Sequence, residues 1–150
     1  SMLVPYVVYD GLAGGYDTGI SIANTSTDPF SPSATSGSGT VTFYFYPRTT
    51  TGAGTMFSLT TATGTTPGVG MATDGTIASG GTWSGLLSEL LTSASQTGAF
   101  TGYIFIKTNF ILAHGTSYVT NFATFTSASP MLVLQDTQAA PRTGFESLSQ

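Results

Sequence analysis

Cysteine is absent from this chain, so neither a disulfide framework nor a thiolate metal site is open to it. Charge is scarce as well: three Lys and Arg and seven Asp and Glu in 150 residues leave 7% charged, against about 25% in ordinary soluble domains. Three cations, Arg48, Lys107 and Arg142, cannot build a patch that tracks a phosphate backbone, which argues against a nucleic-acid partner. No apolar run approaches the roughly 20 residues of a membrane helix, so no membrane insertion is expected. No basic and apolar leader precedes the first strand pattern at Met2-Leu3-Val4, as expected of a secreted chain already processed or truncated at its start. A single histidine, His114, leaves zinc short of nitrogen ligands.

Ser, Thr, Gly and Asn occupy the positions that charge usually holds. The resulting surface is polar but nearly uncharged, with little repulsion between copies. At 150 residues the chain is read as one domain over residues 1–134, large enough to bury a core without staples. A polar tail, 135–150, is expected to be extended or docked.

Strand patterns dominate. Leu3 to Tyr9 (LVPYVVY) is apolar on both faces, and Pro5 points to an edge position, since it cannot donate to a ladder. Ile20 and Ile22 alternate with Ser21 and Ala23, after a glycine-rich turn at Asp10 to Gly15. Val41, Phe43 and Phe45 share one face of TVTFYFY, and Thr42, Tyr44 and Tyr46 the other. Weaker or shorter strands are expected at Thr55 to Thr60 and Met131 to Leu134, and strong ones at Phe100 to Thr108 and Thr116 to Thr126. A long Thr/Gly segment, 61–81, hides a further short strand at Val69 to Ala72 or Gly75 to Ala78. One helix is predicted near 84–91, capped by Ser84, with Leu86, Leu87, Leu90 and Leu91 on one stripe. About seven or eight short strands with turn signals between them predict an all-β, antiparallel β-sandwich of jelly-roll or immunoglobulin-like type with one short helix.

The segments LVPYVVYDG, GYDTGISIANTSTDPF, GTVTFYFY and FTGYIFIKTNFILAHGTSYVTNF, with the closing FESLSQ, resemble a family of small, secreted, largely uncharacterised bacterial β-sandwich proteins. The pattern is GxDTGIxIxNTSxDP followed later by an AHG turn. It is matched here at Asp17-Thr18-Gly19-Ile20, Asn24-Thr25-Ser26 and Ala113-His114-Gly115, while residues 49–81 have no counterpart in it. The resemblance implies export and a β fold, and it transfers no catalytic residue.

The chemistry-bearing residues are few. His114 lacks a G-x-S-x-G elbow or any serine placed beside it, so no catalysis is assigned to it and the protein is not read as an enzyme. Glu89 and Glu146, on the helix and in the tail, are poorly placed to converge as a glycosidase pair. Asp10, Asp17 and Asp28, with Asp74, lie beside glycines and turns. They are candidate calcium ligands, against the commoner reading that they cap those turns. Asn24-Thr25-Ser26 is a glycosylation sequon better read as a turn. Tyr44, Tyr46, Tyr103 and Trp83 are candidate ligand-stacking residues for a polysaccharide.

Two-faced apolar strands with one helix to cover them favour burial between subunits. The leading expectation is an extracellular, cell-surface structural subunit whose partners are other copies of itself, paired through Leu3, Val4, Tyr6, Val7, Val8 and Tyr9 into a filament, layer or matrix. The alternative is a carbohydrate-binding or adhesive module that uses the surface tyrosines.

Overall fold

The computed structural model describes residues 1–30 and 36–134. The tail expected at 135–150 lies outside the described residues. In chain order the elements are β1 (Met2–Tyr9), β2 (Asp17–Asn24), β3 (Val41–Thr49), β4 (Gly52–Ala53), β5 (Phe57–Thr60) and β6 (Thr82–Leu86). Then come α1 (Leu87–Ser93), β7 (Phe100–Thr108), β8 (Ala113–Thr120), β9 (Thr126–Pro130) and β10 (Leu132–Val133). All strand pairs are antiparallel and form two sheets packed face to face. The first sheet runs β10-β1-β7-β3-β4, with β5 also on β3; the second runs β6-β2-β8-β9.

The alternation read from sequence sets the inner faces. Val41, Phe43 and Phe45 of β3, Ile104 and Ile106 of β7, and Met2, Val4 and Val7 of β1 point into the core from the first sheet. Ile20, Ile22 and Trp83 meet them from the second, and Leu87, Leu90 and Leu91 of α1 join the same core. The three-residue spacing from Val4 to Val7 breaks a strict alternation. A bulge absorbs it: the β1–β7 register shifts between those residues, leaving Pro5 and Tyr6 exposed. Trp83 lies over Gly85, where a Cβ would enter its ring, and against Phe43 at 5.4 Å between ring centroids.

Three expectations shift by local override. The predicted 84–91 helix begins three residues late, because Thr82–Leu86 is taken into β6 opposite β2; Ser84 pairs its hydroxyl with that of Ser21 at 2.5 Å and caps nothing. The Ala113-His114-Gly115 turn is instead the start of β8, laddered to Ala23 and Ile22 of β2. The strand expected over Thr116 to Thr126 is a hairpin, cut at 121–125 where Asn121 Oδ1 accepts from the amides of Ala123, Thr124 and Phe125 at 3.2, 2.9 and 2.8 Å.

The 61–81 segment holds no strand, yet both expected sites make single bridges, Val69 to Ser84 and Ile77 to Gly39. It is pinned by Thr61 Oγ1, which donates to Gly75 O at 2.6 Å and accepts from Val41 N at 2.9 Å. Trp83 Nε1 adds a bond to Pro67 O at 2.6 Å. Truncating Trp83 therefore opens a large cavity and frees this segment together. Trp83→Ala is expected to lower the unfolding free energy by about 3–5 kcal/mol in urea titrations followed by circular dichroism.

Candidate functional site

The outward face of the first sheet carries the most distinctive side-chain grouping. The β3–β7 register sets Tyr46 opposite Tyr103 and Tyr44 opposite Phe105. Tyr46 and Tyr103 stack at 4.8 Å with 4° between their planes, and Phe105 stands edge-on to both at 5.7 and 5.8 Å. Three of the four tyrosine and tryptophan candidates thus share one face. Trp83 does not join them: it is fully buried on the inner face of the opposite sheet and cannot reach a ligand on the surface. Phe105 is the member that sequence reading missed, although its alternation with Ile104 and Ile106 places it outward.

The carboxylates occupy separate places. Asp10 closes the β1–β2 turn by accepting from the amides of Leu12 at 3.0 Å and Tyr16 at 2.8 Å, and these bonds hold its carboxyl below the ordinary range. Asp28 accepts from Phe30 N at 2.9 Å, a local turn bond. Asp17 is buried at the head of β2 and reaches across to the start of α1. Its carboxylate accepts from the Ser88 hydroxyl at 2.5 Å, Ser88 N at 3.3 Å and Thr18 N at 2.7 Å. Burial pushes this carboxyl above the ordinary range; the bonds from Ser88 and Thr18 oppose the rise, and the nearby Glu89 adds to it. A negative group at a helix start is favoured by the aligned peptide dipoles. Among the described residues no three His, Cys, Asp or Glu side chains come together. Asp74 likewise accepts from Thr76 N at 3.0 Å, so each candidate calcium ligand is engaged with turn or helix amides, and the four do not converge.

His114 is exposed on β8 and, among the described residues, hydrogen-bonds to no Ser or Asp. It borders an open cleft of about 500 Å³ whose lining mixes Ser1, Thr108 and Asn109 with Phe110, Ile111 and Val133.

The Asn24-Thr25-Ser26 segment is a buried knot. Asn24 Nδ2 donates to Gly37 O at 2.8 Å and Ile77 O at 3.1 Å, so both of its hydrogens are engaged. Ser26 Oγ meets Ser79 Oγ at 2.7 Å, and the Thr25 hydroxyl donates to Leu112 O. Three separate loops are tied to the end of β2 by this tripeptide.

Sheet edges complete the surface. β1, expected as the pairing strand, is laddered to β7 from Met2 to Tyr9, with Met2, Val4 and Val7 wholly buried. Its other side is covered by β10 at Met2 and Leu3, and at Val8 by the Thr18 hydroxyl, which accepts from Val8 N at 2.8 Å and donates to Val8 O at 2.9 Å. Pairing with another copy through all six residues, Leu3, Val4, Tyr6, Val7, Val8 and Tyr9, would require stripping these contacts. By contrast, among the described residues β9 pairs only with β8, and all five of its residues are exposed.

The chain matches no protein-family model, no curated protein and no solved structure.

The shifted carboxyls predict a pH profile. Asp17 binds its proton more readily folded than unfolded, so its contribution falls as pH rises from the usual 3.8 through the raised value. Asp10 and Asp74 are shifted down by turn bonds, so their contribution is lost as pH falls below 3.8. Urea midpoints are expected to decline from about pH 4 toward neutrality in the parent chain. Asp17→Asn should flatten that decline and leave the acid-side loss in place.

Proposed function

We propose that this protein is an exported, non-enzymatic structural subunit that associates with further copies of itself at its uncovered sheet edges to build a surface layer, filament or matrix. The observation that carries the reading is β9, an edge strand of five exposed residues with no charge, no bulge in its register with β8, and proline only at its last position. Natural sheets guard such edges with short strands, lysine, proline, inward charges, bulges or a covering element, because unpaired amides and carbonyls template pairing with another chain. β9 is short and has Pro130 at one end, but no charge or bulge. Here the whole stretch from Thr108 to Leu134 holds no Lys, Arg, Asp or Glu. The scarcity of charge elsewhere removes the usual repulsion between copies. Export is supported by the same composition and by the family resemblance of the GYDTGISIANTSTDP segment.

A second reading, polysaccharide binding, is favoured by the shared outward face of Tyr44, Tyr46 and Tyr103. It ranks second because Tyr46 and Tyr103 each spend one ring face on the other, and sugar stacking needs open faces.

Light scattering across a concentration series, with negative-stain microscopy of the same samples, tests the leading reading. The mass is expected to rise with concentration and to change little between low and high salt, since the contact is not ionic. A particle that stays monomeric at millimolar concentration overturns it. Retention on insoluble polysaccharide that is lost in Tyr44→Ala and Tyr103→Ala would move the second reading ahead.

A further inference from the structure

The flank that contains β9 has a built-in self-complementarity. Exposed apolar side chains stand at both ends of the strand: Phe122 at 63% and Phe125 at 47% exposure before it, Leu132 at 44% and Val133 at 56% after it. The first group is held firmly. Phe122 has φ of 59°, a left-handed conformation that bulky residues rarely adopt, and its amide donates to Thr120 Oγ1 at 2.9 Å while Asn121 fastens the rest of the loop. Phe125 is braced edge-on against Tyr16 at 5.8 Å. The second group is held too: between β9 and β10 the chain crosses from one sheet to the other at Met131, which is buried against Gly115.

We propose that β9 is the interface of a two-fold dimer, pairing antiparallel with β9 of a second copy about an axis at Ala128. This rests on the self-association reading above and names its partner surface. An axis at Ala128 is the one that overlaps all five residues, since Ala128 is the middle of Thr126–Pro130. Antiparallel pairing reverses the second copy end for end. The Phe122–Phe125 end of each copy then lies beside the Leu132–Val133 end of the other, and both exposed apolar groups are covered at once. The four-stranded second sheet continues into its symmetry mate as one sheet of eight strands. An isologous contact of this kind closes on itself, so growth beyond the dimer needs a separate contact.

Ala128 projects to the outer side of the second sheet, opposite Tyr118, and is exposed, so it tolerates a longer side chain in the monomer. Across the axis the two copies would place their residues 128 about 4.5–5.5 Å apart at Cβ. Sedimentation velocity on the full chain is expected to show a reversible dimer that is lost in Ala128→Lys and lost in Ala128→Glu, with both variants keeping the urea midpoint that the parent shows at concentrations where it is monomeric. An equimolar mixture of the two variants restores the dimer, because unlike charges then face each other. Ala128→Cys, in a chain with no other cysteine, forms a disulfide-linked dimer under mild oxidation, whereas Thr42→Cys on the other sheet does not. A chain that stays monomeric at every concentration sinks both this dimer and the self-association reading. Association that persists unchanged in Ala128→Lys and Ala128→Glu, or equal cross-linking at positions 128 and 42, overturns the β9 dimer alone and leaves self-association standing.

Discussion

Buried polar groups must find partners, and in a chain with so few charges those partners have to be hydroxyls, amides and carbonyls. β2 is where that constraint is concentrated. It lies between β6 and β8, and three of its polar residues, Asp17, Thr18 and Asn24, bind elements outside its own ladder, while Ser21 pairs with Ser84 of β6. Asp17 holds the start of α1, Thr18 clasps both backbone groups of Val8 in the opposite sheet, and Asn24 ties two loops. Gly19 makes room for the ring of Tyr118 from β8. Among the described residues no buried side-chain nitrogen or oxygen lacks a partner. Satisfying β2 fixes the relative placement of both sheets, the helix and the loops at the Asn24 end.

That economy has a consequence at the surface. A fold held by neutral hydrogen bonds needs few ions inside, and this chain places few outside. The outward face of the first sheet is covered partly by its own aromatic side chains, Tyr46, Tyr103 and Phe105 shielding one another. The second sheet's outward face is lined instead by small side chains such as Ser21, Ala23, Ser84 and Thr116. The strands of the first sheet expose two cations, Arg48 and Lys107, while the β9 edge carries none of the charged gatekeepers that ordinarily keep β-proteins apart. That combination is what motivates the proposal that copies associate.

Legibility from sequence followed the range of the interaction. The GYDTGISIANTSTDP segment, which stands out on composition and spacing, proved to be the polar anchor of the fold, and its acids are caps for turns and a helix. Alternation alone puts Tyr44 and Tyr46 on one face, whereas Tyr103 joins them only through the β3–β7 pairing. Trp83 was misread because its neighbours Ser84, Leu86 and Leu87 share a helical spacing, while the long-range pairing of Thr82–Leu86 with β2 outweighs that local preference. The β8–β9 hairpin was read as one strand because its cut depends on the Asn121 carbonyl collecting three amides, a geometry that the alternating apolar residues around it conceal.

Alternation and turn chemistry by themselves determined that this chain is an all-β sandwich and which residues of β2 and β3 face the core, and composition determined that it has no thiol. Those properties are local or compositional: they follow from side-chain period, from φ preferences and from residue counts. Tertiary structure alone decided which strand edges are spent and which are free. Among the described residues β1 is laddered to β7 and covered at Met2, Leu3 and Val8 by β10 and the Thr18 hydroxyl, whereas the TSASP of β9 pairs only with β8. Strand partners are chosen by contacts far apart in the chain, and no local pattern encodes which edge is left without one.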